Sequence, residues 1–170
     1  MTKQINSDAI AASFDSTFEF NDISKQFEGD AVAGLDLQAS LCFEETSEVI
    51  QAFEEWANYE PNYSTKTKQQ LIAELAKEAV DLKVVSDGLL QKIHATGLID
   101  MNEVLMKVAE NNLSKFPTNV DYNWCSEQDY EPVWNESYGR FVLKDANGKT
   151  MKPLGYSKVN LLELVNVQAS

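Results

Sequence analysis

The sequence predicts an all-α protein, a small helical bundle followed by an irregular C-terminal segment. Three observations carry that prediction. Apolar residues recur at helical spacing through the middle of the chain, at Leu71, Leu75, Leu82, Val85 and Leu89. Two capping-box signatures, Thr67 with Gln70 and Asp100 with Glu103, mark helix starts. After Lys115-Phe116-Pro117 the periodicity stops, and aromatic residues mix with acids and turn formers.

The elements follow in order. Residues 1–29 carry weak signals, of which AIAASF reads as a short helical turn and FEFNDI as less. Asp30 can cap a first helix over about 31–57, with Leu37, Leu41, Ala52 and Trp56 on one face and Ile50 and Phe53 widening it. Gly34 weakens its first turns, and Pro61 in the loop YEPNYSTKTK stops it. A second helix runs over about 68–94 and ends at Ala95-Thr96-Gly97. A third covers about 101–113, carrying Val104, Leu105 and Val108. For residues 118–143, short strands and an irregular packed cover both stay open. DANGK, 145–149, is a turn with Asn-Gly at its tip, and LGYSKVNLLELV closes the chain as a short helix or strand. The whole reads as one domain over 1–170, with a helical core at about 31–115 and a tail over 116–170. Two long helices with a short third partner predict a core completed by a second subunit.

Composition narrows the function. A net charge of -13, from 27 acids and 14 bases, repels nucleic acid backbones, so no nucleic acid polymer is expected as partner. An anionic substrate would need a metal or local basic groups. Two cysteines, Cys42 and Cys125, make no disulfide framework, and a lone His94 argues against a histidine zinc site. The start MTKQINSDAIAASFDS lacks a basic-then-apolar leader and no run of about 18 apolar residues occurs, so the default location is cytoplasmic, with no membrane partner.

The informative positions are acids inside the apolar stripes. Along the second helix the stripe passes through position 78, which is Glu78, and Asp81 follows three later. On the first helix the middle positions are Glu44, Glu45 and Glu48. Spacings of three and four place side chains on one face, so each helix presents carboxylates from within its stripe. In an antiparallel hairpin the two sets can face each other. Gathered carboxylates raise one another's pKa and need a counter-charge, which a hard divalent cation supplies. The plain alternative is an acid-rich solvated helix surface. A di-iron bundle would add histidines that this chain lacks, so Mg²⁺ or Mn²⁺ fits better.

EETSE at 44–48, EAVD at 78–81, NLSK at 112–115 and DANGKTMKPLGY at 145–156 together resemble the all-α nucleoside triphosphate pyrophosphohydrolases, the MazG-like group. The likeness is to its phosphoribosyl-ATP pyrophosphohydrolase-like branch and covers about 35–115 and 144–159. It implies a helical fold that forms homodimers or homotetramers. It also implies Mg²⁺-dependent cleavage of a ribo- or deoxyribonucleoside triphosphate to monophosphate and pyrophosphate, in phage or bacterial nucleotide-pool control. For a phage protein the location would be the host cytoplasm.

By matched position, Glu45, Glu48, Glu78 and Asp81 are implied as metal ligands, and Glu44 or Glu45 as the carboxylate that activates water. Asn112 is implied as a nucleoside contact and Lys115 as a phosphate contact. Lys149, Lys152 and Tyr156 would close over the triphosphate. The bland readings are a turn lysine at 149, packing at Tyr156 and a helix-end residue at Asn112. Arg140, the chain's one arginine, pairs with a phosphate or with an acid. Relatives often carry Arg-x-x-Leu before the first motif, where this chain has Gln38-Ala39-Ser40-Leu41, and residues 118–143 look like an insertion. The alternatives are hydrolysis of phosphoribosyl-ATP and a non-catalytic helical oligomerising interaction protein. No Walker sequence is present, which disfavours a P-loop enzyme.

Overall fold

The computed structural model describes residues 5–25 and 32–166. The protein is mainly helical, 59% helix, with five α-helices and one small sheet among the described residues. The helices are α1 (Ser7–Ile23), α2 (Ala33–Ala57), α3 (Lys68–Ala95), α4 (Met101–Leu113) and α5 (Tyr122–Glu127). The strands are β1 (Glu131–Asn135), β2 (Arg140–Lys144) and β3 (Thr150–Met151), and a 3-10 turn spans Leu162–Leu164. These elements form two compact units, one through Met101 and one over Asn102–Asn166. α4 falls almost wholly within the second of these units.

In the first unit, α3 starts where its capping box predicts. The Thr67 hydroxyl accepts from the Gln70 N–H at 3.2 Å, and the Gln70 side chain accepts from the Thr67 N–H at 2.8 Å. α2 begins at Ala33, and its expected cap, Asp30, lies outside the described residues. The two helices pack as an antiparallel hairpin. The amide of Gln38, early in α2, donates to the Val85 carbonyl, late in α3, at 3.0 Å, while Glu45 lies with Glu78 and Asp81. In the connecting loop, the Lys66 ammonium bridges Glu55 of α2 and Glu74 of α3 at 3.2 and 2.7 Å.

Of the expected face of α2, Leu41, Ala52 and Trp56 are half-buried, and the rest differs. Leu37 is 61% exposed, and Ile50 and Phe53 are exposed as well, whereas Gln38 is only 7% exposed. The burial of Gln38 follows from Gly88 of α3. A Cβ there would lie 2.8 Å from Gln38 Nε2 and 3.3 Å from Asn21 Nδ2, so the missing side chain admits two amides. Asn21 of α1 donates to Gln91 Oε1 at 3.2 Å, and Gln91 donates to the Phe14 carbonyl at 3.3 Å. α1 is thus held on α3 by a buried polar layer, and its buried residues are Thr17 and Asn21. The N-cap of α1 is Asn6, whose side chain accepts from the Asp8 N–H at 2.8 Å. Only a short turn was expected here; Ile10, Phe14 and Phe18 stand at steps of four, and they and Phe20 are exposed.

The second unit resolves the open reading of 118–143 as a short helix and a hairpin. Asp121 caps α5 by accepting from the Asn123 and Trp124 N–H groups at 2.9 and 3.1 Å. The strands pair antiparallel in the order β1-β2-β3. Leu143 of β2 and Cys125 of α5 are buried at its centre. Trp134 and Tyr122 flank Phe141, with ring centroids 4.8 and 6.2 Å from it. The DANGK turn forms as expected. Asp145 Oδ1 accepts from the Asn147 and Lys149 N–H groups, both at 2.9 Å, and Gly148 takes φ +78°.

Candidate metal centre

The α2–α3 hairpin brings three of the five predicted acids together. One carboxylate oxygen from each of Glu45, Glu78 and Asp81 lies within 4.8 Å of the other two. All three side chains are half-buried. Glu45 comes from α2, and Glu78 and Asp81 stand one turn apart on α3, so the grouping exists only when the helices pair.

Glu45 is the innermost member. Its Oε2 is shut off from solvent and has no hydrogen-bond partner. A buried carboxylate oxygen without a donor is costly, and a bound cation would relieve that cost. Burial raises Glu45 above the ordinary carboxylate value of 4.5, and the charges of Glu48, Asp81 and Glu78 add to the rise. Lys77 opposes them and is the smallest of these influences. Its ammonium lies 3.1 Å from Glu78 Oε2 and 2.7 Å from Asp81 Oδ2. Those two contacts, Asp81 first, hold Lys77 well above the ordinary lysine range. This lysine is a resident cation on the centre, and sequence reading missed it. The signal that could have found it is its i, i+4 spacing to Asp81.

The remaining acids stand apart. Glu48 is exposed and outside the close group, though its charge reaches Glu45. Glu44 is exposed and outside it too. The donors are all carboxylate oxygens, the set that suits Mg²⁺ or Mn²⁺ rather than a thiolate- or imidazole-seeking ion. His94 serves locally instead, its Nδ1 accepting from the Met101 N–H at 3.4 Å.

The expected substrate contacts all belong to the second unit. Asn112 and Lys115 meet each other, the ammonium donating to Asn112 Oδ1 at 2.8 Å. Lys152 sits over the Tyr156 ring, 4.9 Å from its centroid, and the Tyr156 hydroxyl donates to Asn111 Oδ1 at 2.9 Å. Asn111 in turn donates to the Ser157 carbonyl at 2.8 Å, and Lys107 pairs with Glu163 at 2.5 Å, so the tail is pinned along α4. Lys149 is exposed at the DANGK turn. A groove of about 1040 Å³ in this unit is lined by Tyr156, Asn111 and Trp124, but not by Asn112, Lys115, Lys149 or Lys152. The Arg140 guanidinium donates to the Phe116 and Leu113 carbonyls at 2.8 and 3.3 Å, closing the chain just past the C-terminal end of α4.

Among the described residues no helix is long and apolar enough to cross a membrane. No family model, no curated protein and no solved structure matches the chain.

Proposed function

We propose that this chain is a Mg²⁺-dependent nucleoside triphosphate pyrophosphohydrolase with a helical bundle of the MazG-like type, releasing a monophosphate and pyrophosphate. The observation that carries the reading is the convergence of Glu45, Glu78 and Asp81 within 4.8 Å, together with the partnerless buried Oε2 of Glu45. Those three side chains would hold the ion, with Glu48 one turn along α2 as the fourth carboxylate. The chemistry such an ion supplies is neutralisation of phosphate charge and acidification of water.

The chain's own contribution starts with geometry. α2 and α3 hold the donors on two paired helices, so their positions are set before any ligand arrives. Of the two carboxylates expected to take a proton from water, Glu45 belongs to the close group and Glu44 is exposed outside it. Lys115 is the cation proposed to meet phosphate oxygens, Lys149, Lys152 and Tyr156 the groups proposed to close over the triphosphate, and Asn112 the polar group proposed to meet the nucleoside. In a chain of net charge -13, those lysines are what would make an anionic substrate tolerable. A homodimer or homotetramer belongs to the same reading. It is supported by the exposed apolar residues of α2: Leu37, Phe43, Ile50 and Phe53.

The experiment is a panel of canonical ribo- and deoxyribonucleoside triphosphates incubated with Mg²⁺ or with chelator, with products separated by chromatography. Monophosphate and pyrophosphate are expected, abolished by chelator and by Glu78→Gln. Lys115→Ala should raise KM more than it lowers kcat. Diphosphate and phosphate as products would contradict cleavage at the α-phosphorus. Absence of turnover across the panel would shift the reading to phosphoribosyl-ATP or to a non-catalytic protein.

A further inference from the structure

We infer that Lys77 is an exchangeable counter-ion of the carboxylate centre, an ammonium that occupies oxygens of Glu78 and Asp81 and must leave them when a divalent cation binds. The inference rests on the proposed metal role of Glu45, Glu78 and Asp81 and goes beyond it by assigning a residue that sets the affinity of the site.

The geometry is specific. The ammonium contacts both α3 carboxylates, at 3.1 and 2.7 Å, so it takes up oxygens on two of the three side chains that would ligate a metal. A divalent cation held by these side chains would meet the ammonium's positive charge at short range. Among the described residues, Lys77 is also the one basic group whose charge acts on Glu45, so it partly neutralises the whole cluster at rest.

The ammonium has an open path out. The Lys77 side chain is 64% exposed, so it can turn into water without moving the helices, and solvent screens its attraction to the acids. The pairing to Asp81 has lysine N-terminal to the acid at i, i+4, the weaker of the two orientations on a helix. Glu78, by contrast, is only 17% exposed and stays with the centre when the lysine departs. The result is a cluster that is not left as bare like charges without metal, and that binds metal less tightly than its oxygens alone would.

The test is calorimetric titration of the full-length protein with Mn²⁺, comparing wild type with Lys77→Met and Lys77→Arg. Removing the competing charge should tighten Mn²⁺ binding on the order of ten-fold in Lys77→Met, from the repulsion between an ammonium and a divalent ion at contact range. Lys77→Arg keeps the charge, with a guanidinium better matched to carboxylates, and should not tighten Mn²⁺ binding above wild type. Circular dichroism of each variant, unchanged from wild type, separates this from misfolding, and the exposed position of Lys77 favours that outcome. Equal affinities in wild type and Lys77→Met, or weaker binding in Lys77→Met, overturn the inference while leaving the metal centre standing. Absence of Mn²⁺ binding in all three proteins overturns the metal centre itself, and the counter-ion role with it.

Discussion

Glu45→Gln should move the stability of this protein in opposite directions with and without metal. In the metal-free protein, Glu45 faces Glu78 and Asp81 with oxygens within 4.8 Å. Two unit charges at that separation interact by about 1 kcal/mol in a water-like dielectric. Two such neighbours give about 2 kcal/mol of repulsion, which counter-ions and partial exposure cut to about 1 kcal/mol. Losing the attraction of Lys77 offsets only a little, because it is the smallest influence on Glu45. The neutral amide also brings N–H donors to the region where Oε2 now lacks a partner. Metal-free Glu45→Gln should therefore melt about 2–4 °C above wild type, the shift about 1 kcal/mol produces in a chain of this size. With Mn²⁺ at about 100 times its dissociation constant, wild type should gain about 2.7 kcal/mol. That corresponds to about 5–10 °C, and the variant should gain almost none of it. Scanning calorimetry in chelator and in Mn²⁺ reads both arms. A lowered melting temperature in chelator, or a Mn²⁺ shift that survives the substitution, would refute the account of Glu45 as the strained member of a cation site.

Three further outcomes are expected. Because Glu45 lies above its ordinary 4.5 in the folded protein, its contribution to metal-free stability is fully present below that value and is lost as pH rises through the raised one. The groups facing it are Glu48 on α2 and Glu78, Asp81 and Lys77 on α3, so the quantity to read is the wild-type curve minus the Glu45→Gln curve in urea melts from acid to neutral pH. Excess Mn²⁺ should oppose that loss at neutral pH. Leu143→Ala empties a fully buried position in β2 and should cost about 2–5 kcal/mol, seen as a lowered unfolding midpoint, while Mn²⁺ affinity at the α2–α3 centre holds. Phe43, 77% exposed on α2, should mark a subunit contact: light scattering should report a dimer or tetramer for wild type and a smaller species for Phe43→Asp, and a monomeric wild type would remove that part of the proposal.

The sequence by itself determined the α2–α3 hairpin and its acids. Helical spacing, a capping box at Thr67 and Gln70 and the loop around Pro61 are local signals, and local signals suffice to place carboxylates on one helix face. Pairing across the hairpin needed only that the two helices run antiparallel. The α1 helix was expected only as a short turn, although Asn6 and the spacing of Ile10, Phe14 and Phe18 are local signals for it; what no hydrophobic period announces is its docking through Thr17, Asn21 and a glutamine on another helix. The same layer displaced Leu37 from the interface in favour of Gln38, since the space that Gly88 leaves open exists only where three helices cross. Tertiary structure also decided which acids meet. Glu45, Glu78 and Asp81 converge and Glu44 and Glu48 do not, a distinction of side-chain direction that a spacing of three or four residues cannot resolve. It assigned Arg140 to the Phe116 and Leu113 carbonyls, because partners for long, flexible cations are set by what lies in reach once the chain has folded.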